Sequence, residues 1–342
     1  MDSSQFVIDS STLAEIVQNL STKLRAYYVF PEVAEQICAR LQEGLAQGAF
    51  AEFTDGESLA LALTLRLQEV NQDRHLGVEY HPQPLPEQEG ALYQNQAMVD
   101  EWRKEDEQDN FGLHKAERLP GNVGYLDIRA FSRTDWGGET AAAAMTFLAH
   151  TNALIIDLRQ CRGGDPDMVA LISTYLFGEE RLHLNSLYWR EGDVTQQFWT
   201  LPYVPGRRFG DKPVYVLTSK NTFSGGEEFA YNLQTRQRAT LVGETTGGGA
   251  NPGAAYRLHA HFAVFIPNGR AINPVTGTNW EGCGVTPDVQ TPPEQAFNKA
   301  YQLALEGILQ SVGEGRGLPA ALLAEAQAAL QSLKNASLEP NT

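Results

Sequence analysis

At 342 residues the chain is long enough for one large core and a smaller domain. Its composition is ordinary for a globular protein, 42% apolar and 20% charged, and a net charge of −16 argues against nucleic acid as a partner. The three cysteines, Cys38, Cys161 and Cys283, show neither metal-ligand spacing nor a disulfide framework, which fits a reducing compartment.

The first residues, Met1-Asp2-Ser3-Ser4-Gln5, carry no basic or apolar leader. No apolar run reaches the ~18 residues a membrane span requires. The expected location is cytoplasmic, or exported if a leader has been trimmed. Residues 10–70 read as three helices. Leu13, Ile16, Val17, Leu20 and Leu24 follow helical spacing, with Ser10, Ser11 or Thr12 as cap. Pro31 opens a second helix carrying Val33, Ile37, Leu41 and Leu45. Asp55 precedes a third, with Leu59, Leu61, Leu63 and Leu67. The polar, proline-rich stretch from Pro82 to about Asn110 reads as a linker or exposed excursion. From Asn122 the pattern changes to strands at Val123–Ile128, Ala153–Leu158, Val214–Leu217 and Thr240–Val242. Helices are expected over Thr140–His150 and Met168–Phe177, then a long β segment over Ala255–Ile266 and a helical tail from about Glu294 to Leu333. Alternating strands and helices predict an α/β core with a largely parallel sheet. The expected division is a helical domain over 1–80, an excursion over 81–115 and a core over 116–342.

Four patches carry residues suited to chemistry. Thr222-Phe223-Ser224-Gly225-Gly226-Glu227-Glu228 follows an apolar strand and opens a helix. That setting puts the Ser224 hydroxyl at a helix N-terminus, where backbone N–H groups favour developing negative charge. Read alone, the same pattern is a tight turn with a helix cap. Asp157-Leu158-Arg159-Gln160-Cys161-Arg162-Gly163-Gly164 ends a buried strand in a glycine turn whose N–H groups can face an oxyanion. No Gly-Lys-Ser/Thr follows, which disfavours a phosphate loop. Asp73-Arg74-His75-Leu76 supplies a histidine, the natural base for a serine nucleophile. Trp280-Glu281-Gly282-Cys283-Gly284-Val285-Thr286-Pro287-Asp288 is a loop in which Glu281 can orient a base or a water. His259 and His261 alternate on the long β segment and are expected to share a sheet face. No ligand cluster accompanies them, so no metal is implied, nor any cofactor.

In this order the patches resemble the tail-specific, or C-terminal-processing, serine protease superfamily. The resemblance covers nearly the whole chain. It also rests on Tyr28-Val29-Phe30-Pro31-Glu32 and Gly243-Glu244-Thr245-Thr246-Gly247-Gly248-Gly249. The closest likeness is to the branch lacking a PDZ domain, which includes the modules of interphotoreceptor retinoid-binding protein. The PDZ-bearing branch has a lysine base about 25 residues after its nucleophile, but this chain has no lysine between Lys220 and Lys299. The likeness therefore shifts to the tricorn-protease arrangement, with an early histidine as base and a glutamate 55 to 60 residues after the serine. His75 and Glu281 match those positions, while Arg74 stands where that arrangement has a serine.

The resemblance implies a crotonase/ClpP-like core and a serine peptidase working through an acyl-enzyme. Ser224 would be the nucleophile and His75 the base. Gly225 with Gly163 or Gly164 would form the oxyanion hole, and Glu281 would complete the site. The implied partner is a peptide or unstructured protein; oligomerisation fits because the tricorn and crotonase relatives associate. Two alternatives use the same scaffold. One is a non-catalytic binding module for retinoid or fatty-acid-like ligands, and the other an acyl-CoA enzyme, for which no basic phosphate patch is evident.

Overall fold

The protein is seen here as a computed structural model that describes residues 8–313 and 317–336. Residues 1–7, including those read above for a leader, lie outside the described residues. In chain order the elements begin with α1 (Ser10–Tyr27), α2 (Pro31–Ala46), α3 (Gly56–Gln68), β1 (Gly77–Tyr80) and α4 (Gln96–Gln108). β2 (Leu113–Leu119), β3 (Val123–Ile128), α5 (Thr134–Leu148), β4 (Ala153–Asp157) and α6 (Pro166–Leu176) follow. Then come β5 (His183–Trp189), β6 (Val194–Trp199), β7 (Val214–Thr218), α7 (Gly225–Thr235) and β8 (Thr240–Gly243). The chain continues through β9 (Gly253–His259), β10 (Phe262–Pro267), β11 (Gly269–Ile272), β12 (Val289–Gln290), α8 (Pro293–Gly313) and α9 (Ala320–Ala336). Among the described residues, no helix is long and apolar enough to cross a membrane.

The chain divides into two compact units, each discontinuous in sequence. The first comprises the residues up to Trp102, with Ser186–Gln196 and Gly249–Ile272. Here the apolar stripes of α1, α2 and α3 converge on a core that includes Ile16, Leu20, Leu24, Ile37, Leu41, Leu59 and Leu63. The cap of α1 is Asp9, whose carboxylate accepts from the Thr12 N–H at 2.8 Å, and not one of the hydroxyl residues expected. Asp55 caps α3 through the Ser58 N–H, also at 2.8 Å. Tyr256, Phe262 and Val264 bring the sheet β1-β10-β9 onto the same core.

The long β segment expected over Ala255–Ile266 is two antiparallel strands, β9 and β10, with the turn at Ala260–His261. His259 and His261 therefore do not share a strand face. The Pro82–Asn110 stretch is not a bare linker either. Leu85 and Leu92 are buried with Ala263, and α4 occupies its end.

The second unit comprises Arg103–Asn185, Gln197–Gly248 and the residues from Asn273 onward. Its six-stranded sheet has the order β12-β8-β7-β4-β3-β2, parallel except for the β2–β3 pair. All five residues of β4 are buried, as expected of a central strand covered on both faces. Ile155 and Leu217 pack against Ala300, Ala304, Leu305 and Ile308 of α8. Residues alternate faces along a strand, so Leu154 and Ile156 point the other way, toward the side where α5 contacts α6 and α6 contacts α7. The helical tail consists of two helices, α8 and α9. The result is a mixed α/β protein with a helical N-terminal region and a sheet-built core.

Candidate active site

β4 and β7 are neighbouring parallel strands, with Asp157 registered against Leu217. Their carboxyl ends therefore deliver two turns to the same place, the usual position for a site in a parallel sheet. After β7 the chain turns through Ser219–Phe223 into α7. Thr222 is pinned to the β4 turn by its hydroxyl, which donates to Leu158 O at 2.7 Å, and the Phe223 N–H donates to Cys161 O at 3.0 Å. Ser224 then sits immediately before α7 with φ +52° and ψ −121°. A non-glycine residue in that region is strained by about 1–3 kcal/mol, and such strain concentrates at functional turns.

The glycines on the other turn let the backbones touch. Gly163 has φ +108°, and a Cβ there would lie 2.7 Å from the Ser224 Cβ and 2.9 Å from the Gly225 nitrogen. A Cβ on Gly164, at φ +133°, would lie 2.1 Å from Phe131 O. The flanking peptides are fixed by Phe131, whose N–H donates to Gly163 O and whose carbonyl accepts from the Asp165 N–H, both at 2.7 Å. The Gly163 N–H is turned to the sulfur of Cys161, a buried thiol whose pKa is pushed up to about 12 by desolvation. Among the described residues, the N–H groups of Gly164 and Gly225 donate no hydrogen bond.

Glu227, not singled out from the sequence, holds this region together. It is fully buried. Its carboxylate accepts from the Ser224 N–H at 3.0 Å, the Gly248 N–H at 2.6 Å and the Thr246 hydroxyl at 2.5 Å. Thr246 in turn accepts from the Val285 N–H at 2.7 Å, and Gly248 O accepts from the Gly282 N–H at 2.9 Å. The Ser224 turn, the Thr245–Gly248 loop and the Glu281–Val285 loop are thus tied through one carboxylate. Ser224 and Glu227 form the Ser-x-x-Glu pattern of a capping box, a signal present in the sequence. Glu281 is half-buried, on a turn fixed by its own N–H donating to Asn279 Oδ1 at 2.9 Å.

Glu228, the next residue, is also buried. Desolvation, reinforced by Asp165 and Asp167, raises its pKa to about 8, while the amides of Asn185 and Asn232 pull it down.

His75 belongs to the first compact unit. Its N–H donates to Asp73 Oδ1 at 3.1 Å, and its ring stacks on Phe265 with centroids 5.9 Å apart. Asp73 is buried and also accepts from the Tyr28 hydroxyl at 3.0 Å and the Asn251 amide at 3.1 Å. These bonds give Tyr28, quoted above only as part of a motif, the job of fixing the turn that carries His75. Burial, helped by the Arg74 cation, lowers the His75 pKa to about 4. The imidazole is therefore neutral near pH 7.

Of the residues anticipated from sequence, Ser224, Gly225, Gly163 and Gly164 come together in the second unit, and Glu281 is linked to them through Gly248 and Glu227. His75 is built into the first.

A strained serine thus sits at the start of α7, with undonated backbone N–H groups on Gly225 beside it and on Gly164 of the neighbouring turn, in a mixed α/β protein. Comparison with known proteins agrees with that architecture. Residues 122–291 match the peptidase family S41 profile, and residues 4–110 match the N-terminal domain of peptidase S41 in eukaryotic IRBP. The chain belongs to peptidase family S41.

A carboxy-terminal-processing protease of Bartonella bacilliformis is 25% identical over 194 residues, covering 55% of this chain and 43% of that one. A carboxyl-terminal-processing protease of Synechocystis is 32% identical over 130 residues, covering 38% and 29%. The chain thus spans less than half the length of either relative. Among solved structures, a protein of Parabacteroides merdae has a TM-score of 0.58 at 18% identity, covering 86% of this chain and 96% of that one. The tricorn protease has 0.53 at 14% identity, covering 95% and 37%. At these identities the likeness concerns the fold.

Proposed function

We propose that the chain is a serine peptidase that cleaves polypeptides through an acyl-enzyme, with Ser224 as nucleophile. The observation that carries this reading is the strained Ser224 turn set beside the undonated N–H groups of Gly164 and Gly225. Ser224 Oγ attacks the scissile carbonyl carbon, and neutral His75 accepts the hydroxyl proton. The tetrahedral oxyanion is held by the Gly164 and Gly225 N–H groups, helped by the N-terminus of α7. Gly163, with its N–H on Cys161, serves by keeping a Cβ out of the way. Collapse breaks the C–N bond, and His75 returns the proton to the leaving amine. Water then attacks the ester with His75 again as base, releasing the acid and restoring Ser224. Glu281 orients the base or the water. One oxyanion donor is worth on the order of 3 kcal/mol of transition-state stabilisation.

The test is labelling with a serine-directed fluorophosphonate. The wild-type chain should be modified at Ser224, and Ser224→Ala should not. Undiminished labelling of that variant removes Ser224 from the mechanism.

A further inference from the structure

A cation beside the candidate nucleophile plays no part in the chemistry described above. Arg162 directly precedes Gly163 on the turn after β4. A Cβ on Gly163 would lie 2.7 Å from the Ser224 Cβ, and adjacent Cα atoms are about 3.8 Å apart, so the Arg162 Cα lies within about 8 Å of the Ser224 Cβ. An extended arginine side chain spans nearly that distance. The backbone around it is fixed. The Arg162 N–H donates to Arg129 O at 3.0 Å, Cys161 O accepts from the Phe223 N–H at 3.0 Å, and Gly163 O accepts from the Phe131 N–H at 2.7 Å. Cys161 and Gly163 are buried, whereas Arg162 between them is exposed.

Among the described residues the Arg162 guanidinium makes no ion pair, hydrogen bond or ring contact. The other arginines near this turn do. Arg129 pairs with Asp127 at 3.2 Å, Arg133 with Asp135 at 2.9 Å and Arg159 with Asp157 at 2.6 Å. Carboxylates are not scarce in a chain with 42 acidic and 26 basic residues. Those beside the turn have other partners. Asp165 accepts from the Asp167 N–H at 2.8 Å, and Glu227 accepts from Ser224, Thr246 and Gly248. The turn that touches Ser224 therefore carries an uncompensated positive charge, of the same sign as the N-terminal end of the α7 dipole. A free guanidinium is a fork of donors that matches a carboxylate through two parallel N–H···O bonds.

We propose that Arg162 binds a carboxylate of the polypeptide substrate close to the scissile bond, on an aspartate or glutamate side chain or at the polypeptide's own carboxyl end. Acidic sequence beside the cut is then favoured, and lysine or arginine at the same position is repelled. An exposed ion pair supports a preference of up to about fivefold, and more where the substrate covers it from water. This inference rests on the peptidase reading and deepens it by naming a residue that sets specificity.

The experiment compares the cleavage of one defined mixture of unstructured peptides by the full-length wild-type chain and by Arg162→Gln, Arg162→Lys and Arg162→Glu, read by mass spectrometry. Fluorophosphonate labelling of Ser224 is measured alongside. Wild-type cuts should be enriched about fivefold for aspartate or glutamate at one position near the bond, and the enrichment should shrink with added salt. Arg162→Gln should lose it, Arg162→Lys should keep part of it, and Arg162→Glu should select lysine or arginine at the same position. Position 162 is exposed, so unchanged melting curves would confirm intact folding. A preference for glutamate over glutamine in amidated peptides assigns the carboxylate to a side chain. A preference for free acids over their amides, lost in Arg162→Gln, assigns it to the carboxyl end. Identical profiles in wild type and Arg162→Glu, with Ser224 labelled, overturn this proposal alone. Neither labelling nor cleavage by the wild-type chain would overturn the peptidase reading together with it.

Discussion

Ser224 gives its backbone N–H to the buried carboxylate of Glu227 at 3.0 Å, so the candidate nucleophile is held by a residue one helical turn further on. The same carboxylate receives only donors, from Ser224, Thr246 and Gly248. An amide in its place must turn its own N–H groups toward at least one of them. Glu227→Gln should therefore destabilise the protein by about 2 kcal/mol, and Glu227→Ala by more, since it strands three buried donors. If Ser224 is the nucleophile, fluorophosphonate labelling should slow at least tenfold in Glu227→Gln below its melting temperature. Thermal denaturation and labelling rates measured together check this. An unshifted melting curve with a wild-type rate would show that the carboxylate does not hold the turn.

The Ser224 backbone, at φ +52°, gives a second test that needs no substrate. Alanine inherits the strain of that conformation, whereas glycine does not. Ser224→Gly should be more stable than Ser224→Ala by about 1 kcal/mol, after allowing for glycine's larger unfolded-state entropy. This reverses the order expected at an ordinary helix start. Urea denaturation of the two variants decides it, and an alanine variant equal to or more stable than the glycine one would mean the turn is unstrained.

Gly163 should tolerate no side chain. The Cβ of Gly163→Ala would sit 2.7 Å from the Ser224 Cβ, on a backbone already at φ +108°. The two turns must then part, which moves Ser224 relative to the Gly164 and Gly225 N–H groups. Labelling is expected to fall at least a hundredfold with the secondary structure retained by circular dichroism. Wild-type labelling in this variant would show that the close approach is unnecessary.

The strand-turn-helix units at Gly163–Gly164 and Ser224 were readable because each joins a short apolar run to glycines, where period and punctuation agree. The β9–β10 hairpin was not, because its turn at Ala260–His261 contains no glycine, proline or asparagine. β6 was missed for a different reason: Val194, Thr195, Gln196 and Gln197 are all exposed, so no alternation marks the strand. Glu227 was legible as half of a Ser-x-x-Glu pair, but its bonds to Thr246 and Gly248 join segments about twenty residues apart. The tie between Tyr28 and Asp73 has no local signature at all. It arises only when distant segments fold together.

Glu228 sets a pH dependence of stability. Its folded pKa is raised to about 8, chiefly by burial, from an ordinary value of 4.5. Between those values the folded state holds a proton that the unfolded chain releases. Its contribution to stability is thus complete below about pH 4.5, falls as pH rises, and is exhausted above about pH 8. Glu228→Gln mimics the protonated acid and should flatten this slope, gaining a few kcal/mol relative to wild type at pH 9. Denaturant midpoints at pH 5 and pH 9 test this. Parallel pH dependence in the two proteins would mean that Glu228 is already ionised at neutral pH.

His75 sets a pH dependence of reactivity, if it is the base. Its pKa is lowered from 6.5 to about 4, first by desolvation and then by Arg74. The neutral form that can accept the Ser224 proton is lost only as pH falls through that lowered value. The acid limb of Ser224 labelling should therefore lie near pH 4, not near 6.5, with labelling at pH 5.5 close to that at pH 7. The same shift makes the folded state resist protonation. His75 thus contributes stability above pH 6.5 that diminishes as pH falls toward 4, and His75→Gln should remove that slope. His75→Gln should also slow labelling by about 10²–10⁴-fold, the usual worth of a general base. A limb at pH 6.5 in wild type would place an ordinary, solvated imidazole in the reaction. An unchanged rate in His75→Gln would hand the role of base to another group.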